Sequence, residues 1–265
     1  MKIIKMLSAV FLSGLFLWSC SDKDGTSRLR IVMVDAPADY DEVNVEIEDI
    51  LVHTDSNAED GEDGWESVIT EESKGQHNLL ELTNGNEVLL ADTEFPTGRL
   101  SQIRLVLGDD NNLVLDGEKI ALTTPSAQQS GLKLKVNQDL QEEFTYNFTL
   151  DFDAAKSIVQ TGASDKYILK PVIRCLADEN SGAIKGSLAL IGEKALVTAI
   201  NGEEEFTTYT DETGAFLLKA LSPGTYQLTF DFPENNVEND GTIEEVEVKV
   251  GEISDIGAQS FAFEQ

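Results

Sequence analysis

The sequence predicts an all-β protein made of two β-sandwich-type domains. Three observations carry that expectation. Apolar residues recur at every second position through much of the chain, turn residues interrupt these runs at short intervals, and no long stripe of helical period occurs.

The elements can be taken in chain order. Lys2, Lys5 and the apolar run from Met6 to Trp18 have the layout of a signal peptide, predicted here as residues 1–19; the apolar core is too short to span a bilayer stably. Leu17, Trp18, Ser19 and Cys20 resemble a bacterial lipobox, with Trp18 larger than is usual at its position. The resemblance implies that Cys20 carries lipid, with residues 20–26 as a polar tether; the other reading is ordinary secretion with Cys20 a chance thiol. Ser21, Asp22, Lys23, Asp24 and Gly25 are similar to the surface-export signals of lipoproteins in one Gram-negative lineage. Together these imply a protein lipid-anchored to the outer membrane and exposed on the surface.

The chain holds 19 basic and 49 acidic residues, a net charge of −30. Losing residues 1–19 removes Lys2 and Lys5 and no acid, so the mature chain carries −32. Phosphate recognition needs clusters of Lys and Arg, and none occurs, so nucleic acid is not an expected partner. Cys20 and Cys175 are the two cysteines. With Cys20 acylated, neither a disulfide framework nor a cysteine metal site can form. Cys175 lies in an apolar strand-like run and reads as a buried structural thiol.

Within the first half, Val43, Val45 and Ile47 share one strand face. Leu113 to Leu122 reads as a hairpin turning at Asp116 and Gly117, and Leu132, Leu134 and Val136 form another apolar face. Phe144, Tyr146, Phe148, Leu150 and Phe152 point one way, while Thr145, Asn147, Thr149, Asp151 and Asp153 point the other, which predicts a strand with one face on a core and one in water. Ala154 to Val159 suits one or two helical turns. The polar cluster from Ala177 to Gly182 marks a boundary, giving domains at 27–178 and 181–265.

Beyond it, strands are expected at 183–191, 194–201, 206–210, 215–221, 225–232 and 243–250. Tyr226, Leu228, Phe230 and Phe232 form one inward face, and Val246, Val248 and Val250 another. The run from Thr210 to Phe230, with turns at Asp211–Gly214 and Ser222–Gly224, resembles the carboxypeptidase regulatory-like domain. That likeness implies a seven-stranded, transthyretin-like sandwich without catalytic groups. In the first half, Val34 to Pro37, Leu79 and Leu80, Phe95 to Leu105, Pro125 and Ser126, Ser130 to Lys133 and Lys166 to Arg174 resemble bacterial lipoproteins carrying domain of unknown function 4382. No established chemistry follows from that name.

No sequence motif marks a catalytic centre. His53 and His77 are the two histidines; no H-E-x-x-H, G-x-S-x-G or glycine-rich phosphate loop occurs. His53 is expected to end a strand and His77 to sit in a polar turn. Carboxylates are abundant, but nothing singles out a pair with the opposed environments a glycosidase needs. Asp55, Asn57, Glu59, Asp63 and Glu66 stand at EF-hand-like offsets, which suggests calcium. Gly61 is displaced by one position and no helices flank the segment, so an acidic loop between strands is the preferred reading. Trp65 beside it is either a ligand contact or an inward-packed strand residue. The expected role is non-enzymatic: binding or adhesion at the cell surface, or a scaffold, with a glycan or protein partner and no cofactor apart from that calcium. Carbohydrate capture is the alternative, and a hydrolase without a recognisable motif is the weaker one.

Overall fold

The computed structural model describes residues 25–55, 57, 63–125, 131–162, 166–178, 181–189, 194–232 and 237–260. The predicted signal peptide and Cys20 lie outside them. Among the described residues the strands form four sheets, two in each half of the chain.

In the first half, β1 (Thr26–Ala36) lies between β5 (Val88–Pro96) and β10 (Thr145–Asp153), and β13 (Ile173–Ala177) pairs with β10 at the edge. The β1–β10 pairing is parallel, with Ile31 opposite Phe148 and Met33 opposite Leu150. A central parallel pair is expected to be covered on both faces, and Leu29, Ile31, Val32, Met33 and Val34 are all buried.

The facing sheet is organised on β2 (Glu42–His53). It pairs with β6 (Gly98–Leu107), β7 (Asn112–Leu115), and the short strands β3 (Glu66–Ser67) and β4 (Gly75–Asn78). The register of β2 against β6 shifts between Ile47 and Asp49. The apolar residues of β2 move there from odd to even positions, from Val43, Val45 and Ile47 to Ile50 and Val52, and all five are fully buried. A bulge absorbs the extra residue and returns the strand to the same core face. β7 continues into β8 (Glu118–Thr123) through Asp116 (φ 51°) and Gly117 (φ 76°), the left-handed pair a two-residue hairpin requires. Further along lie β9 (Leu132–Leu140), β11 (Ile158–Gln160) and β12 (Tyr167–Leu169). A helical turn at Ala154–Ser157 joins β10 to β11, shorter than expected because Val159 already pairs in a strand.

Among the described residues the second half is a sandwich of seven strands. β14 (Gly182–Leu188) lies between β17 (Ala215–Leu221) and β20 (Ile253–Gln259). The facing sheet runs β16 (Glu204–Tyr209), β15 (Leu196–Asn201), β18 (Gly224–Phe232), β19 (Val237–Val248). Tyr226, Leu228, Phe230 and Phe232 point inward as their alternation predicts. An edge-on ring contact from Phe216 to Phe230 at 5.9 Å joins the two sheets, and a second from Phe206 to Tyr226 at 5.8 Å lies within one of them. The turn after β16 is built by Asp211, whose Oδ1 accepts from the backbone N–H of Thr213 (2.8 Å) and of Ala215 (3.0 Å). β20 was not expected; its alternation is broken by Gly257 and several of its side chains are exposed, so its place comes from parallel pairing with β14.

Four expectations need correction. Phe144 precedes β10 and is 59% exposed. Val250 is 48% exposed because β19 ends at Val248 and the chain turns through Gly251. His77 sits in β4 opposite Val45, not in a turn. The polar face of β10 is not open to water: Thr149 and Asp151 are buried. Asp151 lines a cavity together with Phe206, Thr208 and Leu217 of the second half, which shows what covers that face.

The two halves have separate apolar clusters, one drawn from residues 29–177 and the other from 184–248. Gly182 stands at the start of the second. A β-carbon there would fall inside contact distance of the Lys249 carbonyl oxygen, a backbone atom that cannot swing aside. Gly182→Ala is therefore expected to destabilise the protein by about 1–3 kcal/mol, measurable as a lower urea midpoint at unchanged slope.

Candidate functional site

The junction of the two halves is built from a four-residue turn. Between the 3-10 turn at Leu79–Glu81 and β5, Asn84 (φ 53°) and Gly85 (φ 82°) take left-handed backbone. Asn and Gly are the residues that tolerate it. The turn projects onto β16 and β17. The Asn84 backbone N–H donates to Thr208 Oγ1 at 3.0 Å, and its side-chain amide donates to the Ala215 carbonyl at 3.2 Å. Gly85 lies so close to Leu217 that a β-carbon would approach Leu217 Cδ2 to 2.9 Å. Just past the turn, Glu87 accepts from Arg30 of β1 at 2.7 Å and from Lys219 of β17 at 2.8 Å. Burial alone would raise the Glu87 carboxyl, but the bonds from Lys219 and Arg30 outweigh it and hold it below the usual carboxylate range.

Beneath the turn lies a layer of buried acids. Asp151 forms an ion pair with Arg174 of β13, and the Arg174 guanidinium sits 3.8 Å above the ring of Phe206 in the second half. Asp35, at the end of β1, accepts the Ala154 N–H through Oδ1 at 3.0 Å, while its Oδ2 is buried and has no hydrogen-bond partner among the described residues. A cavity of about 30 Å³, bounded by Asp35, Asp151, Asn84, Thr208 and Lys219, separates the acids from the turn. That is room for about one water and not for a substrate. Burial, chiefly, pushes the Asp35 carboxyl well up, with the charges of Asp151 and Asp153 adding to it against the Ala154 and Ala36 N–H groups. Burial also raises Asp151, against the opposing pull of Arg174.

Beside this layer the junction opens into a groove of about 680 Å³. One wall comes from the β1–β2 connection, Pro37 to Glu42, another from residues 78–86, and the third from Lys194 and Tyr209 to Glu212 of the second half. Tyr40 and Tyr209 are half-buried in it. Burial is the main cause that raises both phenols; the charge of Asp39 acts on each, so the two rings share one electrostatic neighbourhood. The walls are held firmly. Asp41 Oδ2 accepts the Gly117 N–H at 2.9 Å, Asn78 Oδ1 accepts from Val43 and Leu80 N–H groups, and Asp211 organises its own turn.

The residues singled out from the sequence lie elsewhere. β2 begins at the groove and ends at His53, so the acidic loop that follows stands roughly 35 Å away along the strand, at about 3.3 Å per residue. The Asp55 N–H donates to His53 Nδ1 and the Asn57 N–H to Asp55 Oδ1, each at 2.8 Å. Glu66 pairs opposite Val52 within β3, Asp63 is exposed, and Glu59 lies outside the described residues. Among the described residues no group of three or more His, Cys, Asp or Glu side chains is placed to hold a metal ion. Trp65 is half-buried, with the Arg104 guanidinium 3.7 Å from its ring centre and His53 at 5.0 Å. Cys175 packs against the first core, and burial pushes its thiol up to about 12, which makes it inert. The groove was missed from sequence. The Asn84-Gly85 dipeptide was a readable turn signal, but nothing in the sequence says that this turn meets residues 208–219.

Residues 26–171 match the family model described as domain of unknown function (DUF4382). No curated protein matches the chain. Among solved structures, the TIE protein of Bacillus anthracis is 13% identical with a TM-score of 0.27, the match covering 89% of this chain and 41% of that one. GBS52, the minor pilin of Streptococcus agalactiae, is 13% identical with a TM-score of 0.25, covering 90% of this chain and 98% of that one. A fimbrial protein from Bacteroides ovatus is 11% identical with a TM-score of 0.23, covering 89% and 50%. The chain thus spans under half the length of the Bacillus anthracis protein. At these TM-scores the likenesses carry no argument about function.

The buried acids give a pH prediction. A carboxyl raised in the folded state keeps its proton after the unfolded chain has lost it, so its contribution to stability is complete below the unfolded value near 3.9 and is lost as pH rises through the folded one. Asp35→Asn keeps the acceptor for Ala154 and removes the charge. The variant and wild type should melt alike near pH 4. The variant should gain about 1.4 kcal/mol for each pH unit above that, until the folded wild type gives up the Asp35 proton. A stability difference that does not change between pH 4 and 8 contradicts this account of Asp35.

Proposed function

We propose, for a chain that belongs to the family described as domain of unknown function (DUF4382), a non-enzymatic role in which the groove at the junction receives a partner at the cell surface. One observation carries this reading. The carboxylates that converge are buried beneath the junction beside a space for about one water, while the wider concavity next to them is lined by half-buried tyrosines and polar loop residues. A hydrolase needs the reverse arrangement, with its converging acids facing the cleft. A rigid polar cleft between two sandwiches suits recognition. The second half is proposed to be a carboxypeptidase regulatory-like module, on the strength of the residues from Thr210 to Phe230 and its seven strands.

The anchor proposed for this role is lipid on Cys20, supported by the apolar segment that ends there and the polar residues that follow. Each buried acyl methylene contributes about 0.8 kcal/mol, and two or more chains hold a protein stably. Cys20→Ser is expected to move the protein from the membrane to the soluble fraction. Equal membrane partitioning of mutant and wild type would refute the anchor. For the role itself, the soluble Cys20→Ser protein should bind components of a glycan and matrix-protein array and show no turnover on polysaccharide or peptide substrates. Turnover abolished by a single carboxylate substitution would overturn the non-enzymatic reading.

A further inference from the structure

We infer that the junction groove is a carbohydrate site for neutral or amine-bearing oligosaccharides, with Tyr40 and Tyr209 packing against the sugar rings and the surrounding carboxylates and amides taking their hydroxyls. This rests on the reading of the groove as the place where the partner binds. At about 680 Å³ it falls within the roughly 300–1,000 Å³ range of small-ligand sites. Both tyrosines come from well-anchored backbone. Tyr40 precedes Asp41, which is tied to the β7–β8 hairpin, and Tyr209 of β16 is paired with Leu196 of β15. A tyrosine with two side-chain torsions loses little entropy on contact and offers an apolar ring with a polar tip.

The polar groups narrow the class. Among the described residues, Asp41, Glu42, Glu81, Asp211 and Glu212 line the groove against one base, Lys194, so phosphate, sulfate and uronate groups would meet like charge. These acids are exposed, so salt weakens their attraction for cations and their repulsion of anions alike, and they act chiefly as hydrogen-bond acceptors. Asn78, Asn86 and Lys194 add donors among them. A lysine or arginine side chain donates only and would leave those donors to a peptide's few backbone carbonyls. A hydroxyl both donates and accepts, and it matches a wall of mixed character. Hydrogen bonds from hydroxyls to carboxylates are also among the stronger neutral-ligand contacts.

The test uses the soluble Cys20→Ser protein of full mature length, titrated calorimetrically with maltotetraose, chitotetraose, a chitosan tetramer, tetragalacturonate and tetralysine. Binding of a neutral or amine-bearing sugar is expected, with none for the uronate. Tyr40→Ala and Tyr209→Ala should each weaken it about tenfold, the equivalent of one lost ring contact. Tyr40→Phe, Tyr209→Phe and the distant Arg99→Gln should retain most of the affinity. Should an alanine variant fold poorly, nitration of the wild-type tyrosines gives a second reading: the bound sugar should shield Tyr209. Tetralysine binding that is lost in Tyr209→Ala, with no sugar bound, overturns the carbohydrate class and leaves the groove as the site. Sugar binding untouched by either tyrosine, with no shielding, overturns the groove itself. No sugar bound at millimolar concentration also overturns the inference.

Discussion

The junction depends on the left-handed turn at Asn84 and Gly85. Two residues with positive φ let the chain reverse tightly enough to place a backbone N–H on Thr208 and a bare α-carbon against Leu217. A β-carbon at position 85 would crowd the Leu217 side chain and strain the left-handed backbone. Around this contact the charges fall into order: Glu87 bridges Arg30 and Lys219, one cation from each half, and Arg174 reaches from its partner Asp151 to the face of Phe206. Surface ion pairs contribute little individually. These are partly buried and share partners across the junction, so they act as a geometric constraint more than as a source of stability.

The same contact makes the acid layer costly. Seating the second half over β10 removes Asp151 and Asp35 from water, and only Asp151 finds a cation. Asp35 bears the cost as a displaced protonation equilibrium. A groove is formed alongside, because the connection from Pro37 to Glu42 and the turn from Asp211 to Gly214 flank the contact without meeting. Groove, buried charge and docking are thus one geometric event viewed at three depths.

Some of this was legible before any coordinates. The alternation in Tyr226, Leu228, Phe230 and Phe232 reports a buried face because an antiparallel strand in a two-layer sandwich has one fixed side toward its partner sheet. The face shared by Val43, Val45 and Ile47 was read correctly, while the bulge after Ile47 emerged only in the pairing with β6. Thr149 and Asp151 misled, because a polar face made to meet another domain has the composition of a face made to meet water. β20 misled in the opposite way, since a strand held by pairing with β14 needs little apolar alternation of its own.

What the sequence determined by itself is therefore local and periodic: an all-β chain, the hairpin at Asp116 and Gly117, the turn at Asp211, and the inward faces of the strands, each written in residues that neighbour one another. What only the tertiary structure decided is the junction. Asn84 meets Thr208 across 124 positions, and Tyr40 shares a groove with Tyr209. Contacts at that separation leave no period or spacing in the chain, because they are set by how two finished sandwiches pack and not by the geometry of any one strand.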